Sequence, residues 1–226
     1  MKITIGIASY NQQDYLSEAI ESAWHQKRAG EKEIICCNDG STDDSLAIAK
    51  RYPITVIDQV NKGLASARNT ILMNATGDFI LYLDADDILL ENAILEIQKT
   101  ILEHPEADII APSLKTFGTS NEEIILMKDP KLEDFRNGNK IGYCAAIRKS
   151  ALEEVGGYSP KMVEGYEDLH LTMNLLSRGK KIVTIPEVLW LYRTKEKSMW
   201  KDITPEIHKK LIAQINKDVP EARLAF

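Results

Sequence analysis

Three carboxylates, Asp84, Asp86 and Asp87, stand directly after the apolar and aromatic run Phe79–Leu83 in the stretch "GDFILYLDADDILLENAILEI". Like charges this close repel one another and lose hydration beside a core, so something positive belongs with them. Carboxylate oxygens suit a hard divalent cation, Mn²⁺ or Mg²⁺, that carries substrate phosphates and keeps coordination positions open for a diphosphate. Strand alternation predicts Asp84 and Asp86 on one side with Ala85 opposite, two carboxylates on one ligand. Asp87 reads more simply as the cap of the helix that follows.

The elements that must position this group alternate in kind. "KITIGIA", "EIICCN", "ITVID", "FILYL" and "DIIA" read as strands. Between them "QDYLSEAIESAWHQ", "TDDSLAIAKRY", "LASARNTILMNA" and "ENAILEIQKTILEH" read as helices, the second with Thr42 or Asp43 as N-cap and the last stopped by Pro105. Strand–helix alternation with near-continuous apolar strands predicts a mostly parallel sheet covered on both faces. Beyond residue 112 the rhythm changes. "EEIILM", "GYCAAI", "KIVTI" and "VLWLYR" are expected strands, "SALEEV" and "EDLHLTMNLLSR" helices closed by Gly156 and Gly179. In the final segment Ile207, Leu211, Ile212 and Ile215 recur at helical spacing, a core-packing face, with a dimer or membrane-surface contact as the lesser reading. With no linker or repeat, the chain reads as one domain over 1–226, divided into 1–112, 113–200 and a helical segment 201–226.

Composition narrows the function classes. The chain has 226 residues, 44% of them hydrophobic, enough for a core that needs no staples. Twenty-eight basic against thirty-four acidic residues give a formal charge of −6, and no Lys/Arg block is present, which argues against nucleic acid. Cys36, Cys37 and Cys144 lack metal-ligand spacing and read as buried thiols of a reducing compartment. No stretch approaches eighteen apolar residues, so a cytoplasmic protein that can still touch a membrane surface is expected. Neither a Gly-rich dinucleotide fingerprint nor a phosphate-loop Gly-Lys-Ser/Thr is present, which argues against a dehydrogenase or a P-loop enzyme. Ligands of open α/β sheets sit outside the strands' carboxyl ends. Ala8–Asn11, Asn38–Thr42 and Asp84–Asp87 should therefore converge.

In this order, "IASYNQQDYLSEAIESAWHQ", "CNDGSTDDS", "NKGLASARN", "ATGDFILYLDADD", "EVGGY", "GYEDLHL" and "LYR" resemble the family 2 inverting glycosyltransferases of the GT-A fold, from Ile3 to about Arg193. The resemblance implies an α/β, Rossmann-like domain with a nucleotide-sugar half over 1–112 and an acceptor half over 113–200. It places Ala8 and Tyr10 at the nucleotide, where the Tyr10 ring can stack on the base. It makes Asp39 an acceptor for a base N–H. Arg68 would face the nucleotide near Asp39 and the phosphates, Asp86 would be the direct metal ligand, and Asp84 would hold the ribose or metal-bound water. Each has a plainer reading: a packed aromatic, a turn, an exposed helix arginine.

By the same resemblance Asp168 of the Glu-Asp pair is the catalytic base, with Glu167 as second candidate; acids there would otherwise serve the helix dipole. Gly165 and the turn Gly156–Tyr158 would leave room for an acceptor sugar. His170, two residues on, should face away and be structural. Relatives often carry a histidine two residues beyond the Arg of "LYR"; here stands Lys195, which cannot ligate a cation but can neutralise a phosphate. The implied activity is transfer of a sugar from a nucleotide-sugar, a UDP-sugar first, to a hydroxyl of a glycan or lipid-linked acceptor. A binding subunit without turnover and a nucleotidyltransferase are the alternatives, the latter disfavoured because "IASYNQQD" has no Lys or Arg. A homodimer stays open.

Overall fold

A computed structural model of the protein describes residues 1–28, 30–196 and 202–225. Residues 197–200 of the expected acceptor half, and Lys201 and Phe226 at the two ends of the expected C-terminal segment, lie outside the described residues. The chain runs β1 (Lys2–Ser9), α1 (Leu16–Trp24), β2 (Glu31–Asp39), α2 (Ser45–Ala49), β3 (Thr55–Gln59), α3 (Leu64–Asn74) and β4 (Phe79–Asp84). There follow β5 (Ile88–Leu89), α4 (Ala93–Glu103), β6 (Ile109–Gly118), β7 (Glu123–Ile124), a 3₁₀ turn (Leu132–Asn137) and β8 (Ala146–Arg148). The last elements are α5 (Lys149–Val155), α6 (Glu167–Ser177), β9 (Ile182–Thr194) and α7 (Pro205–Asp218).

One nine-stranded sheet carries all of this, in the order β3-β2-β1-β4-β8-β6-β9-β5 with β7 on the side of β6. β1 pairs parallel with β2 and β4, β2 with β3 and β6 with β9, whereas β8 runs antiparallel between β4 and β6. The expected mostly parallel sheet is thus present, and it crosses the residue-112 boundary without a break. Alternating residues of β1 and β4 feed two cores. Ile3, Ile5, Ile7, Leu81 and Leu83 pack under α1 and α4, while Ile80 and Tyr82 face α3, α6 and α7. Both faces are covered, which is why these strands read as continuous apolar runs.

Several boundaries differ from expectation. "KIVTI" and "VLWLYR" form a single strand, β9, because β6 holds it in parallel pairing through an irregularity around Ser113. Only two residues of "EEIILM" pair, as the exposed β7, and "GYCAAI" contributes Ala146 and Ile147 to β8. The helix expected over "TDDSLAIAKRY" is five residues long. Asp44 holds its N-cap position, although Asp43 Oδ1 accepts from the Ser45 amide at 2.9 Å. Gly156 and Gly179 do follow α5 and α6 in left-handed conformation, at φ 77° each. Leu211, Ile212 and Ile215 of α7 are buried, so that helix packs in the core as its spacing requires.

Gly157 is held twice over. Its φ is +73°, and a Cβ there would collide with Asn69 Oδ1, which accepts from the Tyr158 amide at 2.8 Å while Asn69 Nδ2 donates to the Tyr158 carbonyl at 2.8 Å. Gly179 has a similar φ and open space around it. Gly157→Ala should therefore lose about 2–4 kcal/mol, and Gly179→Ala about 1 kcal/mol. In thermal melts the first should cost roughly 4–16 °C and the second a few degrees; equal shifts would show that the Asn69 clamp contributes nothing.

Candidate active site at the strand ends

A cleft of about 990 Å³ opens at the carboxyl ends of β1, β2 and β4, at the top of the range for ligand pockets. It is lined by Ala8, Tyr10, Asp39, Arg68, Asp84 and Asp86, and also by Glu167, Asp168 and Lys195. The nine residues that the resemblance or its departure marks for nucleotide, metal, diphosphate or base thus meet at one place, although they come from six separate segments of the chain.

The β1 and β2 ends form one wall. Tyr10 is about half exposed and lines the cleft beside the buried Ala8, so a flat partner has access to it. Asp39 is buried and accepts from the Lys62 amide at 3.0 Å, the Gly63 amide at 2.8 Å and Gln59 Nε2 at 2.6 Å. Its carboxylate thereby fixes the loop that launches α3, and one oxygen, Oδ2, has a single donor of these three.

Arg68 is not an exposed helix arginine. It is 1% exposed, and its guanidinium spans the site, donating through Nη2 to Asp84 Oδ1 at 2.7 Å and through Nη1 to Glu167 Oε1 at 2.8 Å. Its partners are these two acids, whereas Asp39 is held by its own loop. The rings of Tyr82, Tyr143 and Tyr158 surround the guanidinium, with centroids 5.1–5.9 Å from Cζ. Burial pushes the carboxyls of Asp84 and Glu167 upward, and the Arg68 charge pulls both back.

Each of the three clustered aspartates meets its charge problem differently. β4 ends at Asp84, and the Asp87 amide donates to the Asp84 carbonyl at 3.1 Å, so a turn rather than strand alternation brings Asp84 and Asp86 to the cleft. Asp84 is neutralised by Arg68. Asp86 Oδ2 lies 2.5 Å from Lys195 Nζ. Asp87 does not cap α4, which begins six residues later with Asn92 as N-cap. Instead it is buried, accepting from the Tyr143 hydroxyl and, at 2.6 Å, from the Arg193 amide. Burial first, then the Asp84 charge, push its carboxyl up to about 8, so near neutral pH it adds little negative charge.

The opposite wall is the start of α6. Tyr166 precedes that helix at φ +60°, an uncommon conformation for a bulky residue, and its hydroxyl meets His208 Nδ1 of α7 at 2.8 Å. Glu167 then turns inward to Arg68, and Asp168 faces the cleft half-buried, its Oδ2 taking a hydrogen bond from Asn139 Nδ2 at 2.9 Å and its Oδ1 one from the Leu169 amide at 2.8 Å. Burial raises the Asp168 carboxyl above its ordinary range. His170 points elsewhere, toward Asp218 at 3.3 Å, in the structural role expected of it.

Three contributors were given no role from the sequence, although Arg193 closes the quoted "LYR". Asn139 lies in a polar loop, Tyr143 joins Asp84 to Asp87 by accepting from the Asp84 amide at 3.1 Å, and Arg193 Nε donates to the Asp86 carbonyl at 2.7 Å. The roomy turn expected at Gly156–Tyr158 is otherwise employed. Gly157 abuts Asn69, Tyr158 is buried edge-on against Tyr82, and of that glycine-rich group only Gly165 lines the cleft.

Residues 4–156 match the model of the family described as glycosyl transferase family 2. A poly(ribitol-phosphate) beta-glucosyltransferase of Bacillus spizizenii is 32% identical over 207 residues, covering 86% of this chain and 32% of its own length. The poly(ribitol-phosphate) beta-N-acetylglucosaminyltransferase TarS of Staphylococcus aureus is 24% identical over 206 residues, covering 86% of this chain and 36% of its own. The chain thus spans about a third of the length of these two relatives. The crystal structure of S. aureus TarS 1-349 with UDP-GlcNAc superposes with a TM-score of 0.81 at 20% identity, over 97% of this chain and 67% of that one, which establishes the GT-A fold. By the match to its family model over more than half its length, the chain belongs to glycosyl transferase family 2.

Proposed function

We propose that the protein transfers a sugar, with inversion, from a nucleotide-sugar to a hydroxyl of a glycan or lipid-linked acceptor. The observation that carries this reading is the placement of Asp168 across one cleft from Tyr10, Asp39, Asp84 and Asp86. The base and diphosphate of the donor belong on the strand-end wall, and the acceptor belongs beside α6. A UDP-sugar is the favoured donor, since the fold neighbour TarS binds UDP-GlcNAc, and the named relatives, acting on poly(ribitol-phosphate), favour a surface polymer as acceptor. Work on a lipid-linked acceptor would bring the protein to a membrane surface from the cytoplasmic side; no helix among the described residues is long and apolar enough to cross one.

In the proposed step the acceptor oxygen attacks the anomeric carbon as its proton passes to Asp168. The new carbon–oxygen bond forms in line with rupture of the bond to the diphosphate, and the nucleoside diphosphate leaves with the electron pair. Glu167, spent on Arg68, is the weaker candidate for the base. Asn139 and the Leu169 amide fix the direction of the Asp168 carboxylate. Arg193 and Lys195 add positive charge near the leaving group.

The carboxylates present suit a divalent cation to a limited degree. Asp86 already faces a cation, the Lys195 ammonium, which shows that the position takes positive charge, and one oxygen of Asp84 is not used by Arg68. Among the described residues no group of three His, Cys, Asp or Glu could hold a metal. Asp86, with Asp84 behind it, would hold Mn²⁺ or Mg²⁺ together with the diphosphate and water; a fold neighbour at a TM-score of 0.68, the mannosyltransferase PcManGT of Pyrobaculum calidifontis, is in complex with GDP-Man and Mn²⁺. When bound, the ion would supply charge neutralisation to the departing diphosphate.

Asp168→Asn keeps size and removes the proton acceptor, so transfer should fall by about 10²–10⁴-fold while donor affinity, read by calorimetry, stays unchanged. Near wild-type transfer in Asp168→Asn with a dead Glu167→Gln would move the base to Glu167; activity in both would sink the mechanism. A second expectation concerns pH. The base works only when ionised and burial raises its pKa, so kcat/KM should fall with decreasing pH through a midpoint above the ordinary aspartate value of about 3.9; an acid limb at that ordinary value would argue against Asp168. On the donor wall, Asp39→Ala should weaken UDP binding with the fold retained by circular dichroism, and equal affinity in the two proteins would remove Asp39 from the base site.

A further inference from the structure

Lys195 sits where the backbone before it is held by neighbouring strands and its side chain lines the cleft. The preceding residues are fixed. The Arg193 amide is clamped by Asp87 at 2.6 Å, and Thr194 pairs with Gly118 and donates through Oγ1 to the Phe117 carbonyl at 2.9 Å. The ammonium, on a four-carbon stem, reaches back to Asp86 Oδ2 at 2.5 Å and lies 5.0 Å from the centre of the Tyr15 ring. Asp86 and Lys195 both keep about a fifth to a quarter of their side chains accessible from the cleft, at 20% and 26%. Either group can therefore change partner without moving the strand.

The other charges around Asp86 are already committed. Asp84 Oδ1 goes to Arg68, Asp87 to the Tyr143 hydroxyl and the Arg193 amide, and the Arg193 guanidinium to the Asp86 carbonyl and Glu18. A hard divalent cation wants about six oxygen ligands. Before a donor arrives, this site would offer it Asp86, which a unit positive charge has already matched, and the second oxygen of an Asp84 paired with Arg68. A diphosphate changes both conditions, because it brings oxygen ligands and gives the ammonium a second anion to hold.

Building on the donor-site reading above, we infer that Lys195 is the resident cation of the donor site and sets the order of binding. Its ammonium holds Asp86 until a diphosphate enters, then passes to the diphosphate, and a divalent cation gains Asp86 only in the presence of that diphosphate.

The test is Mn²⁺ binding to the intact chain, followed by the electron paramagnetic resonance of free Mn²⁺ with and without UDP, beside calorimetry of UDP in chelator. Wild type should bind Mn²⁺ weakly alone and much more tightly with UDP. A competitor that holds its seat nine-tenths of the time weakens apparent affinity about tenfold, so Lys195→Met should bind Mn²⁺ without UDP about tenfold more tightly than wild type. The same variant should bind UDP in chelator more weakly, for want of the ammonium. Lys195→Arg, which keeps the charge, should stay at the wild-type Mn²⁺ affinity. The opposite signs in Lys195→Met are the signature, since a merely structural lesion would weaken both ligands. Equal Mn²⁺ affinity of wild type and Lys195→Met without UDP, or a joint loss of both affinities, overturns the inference. Failure of wild type to bind UDP at all overturns the donor-site reading instead, and the inference falls with it.

Discussion

The site depends on one buried cation. Arg68 lies under the cleft with Asp84 on one side and Glu167 on the other, contacts that join α3 to the end of β4 and to the start of α6. A guanidinium is suited to this because its fork of donors can serve two carboxylates at once and it stays charged when buried. Taking one partner away from such a group leaves an uncompensated charge, at a cost of about 3–5 kcal/mol. The bridge thus holds the wall assigned to the donor against the wall assigned to the acceptor, and it constrains where Asp168, next to Glu167, can point.

The same constraint explains why three adjacent acids are tolerated at a strand end. None is left to repel the others at full strength, since Asp84 has Arg68, Asp86 has Lys195, and Asp87 is raised until it is largely protonated near neutrality. These solutions differ in permanence. Arg68 is sealed beneath three tyrosine rings, and Asp87 is locked by Tyr143 and by backbone, whereas the Lys195 ammonium is reachable from the cleft. The exchangeable charge is therefore at Asp86, where chemistry with a diphosphate would need it.

Much of the fold was legible because local pattern and tertiary environment agree. β1, β2 and β4 are covered on both faces, so burial wrote continuous apolar runs into the sequence, and α1 and α4 show their buried stripes at helical spacing. Short pieces such as β5 and the 3₁₀ segment escape any periodicity, because two paired residues or two tight turns are too few to display a period. Asp84 and Asp86 stood out as charges beside an apolar run, and Asp168 through the family resemblance of "GYEDLHL". That Arg68 would join Asp84 to Glu167 was not legible, since Glu167 is 99 residues away from Arg68 and only the folded sheet brings them together. Asn139 was illegible for the opposite reason: a polar residue in a polar loop looks like solvent-facing chain until Asp168 is seen against it.

The C-terminal helix shows how far the site reaches into the scaffold. Leu211, Ile212 and Ile215 anchor α7 in the core shared with α3, α5 and α6. From that anchored position His208 holds the Tyr166 hydroxyl, and Ile203 fills the space that a side chain at Gly165 would need. Tyr166 adopts its left-handed conformation at the point where the chain turns from the Gly165 loop into α6, so the strain there is opposed by contacts from α7. The segment that spacing alone marks as core packing thus also forms part of the cleft, with Ile203, His208, Ile212 and Leu224 on its lining. A carboxylate proposed to take a proton must be held in one direction, and here that direction is set from both sides: by Arg68 through Glu167 from the sheet, and by α7 through Tyr166 from the end of the chain.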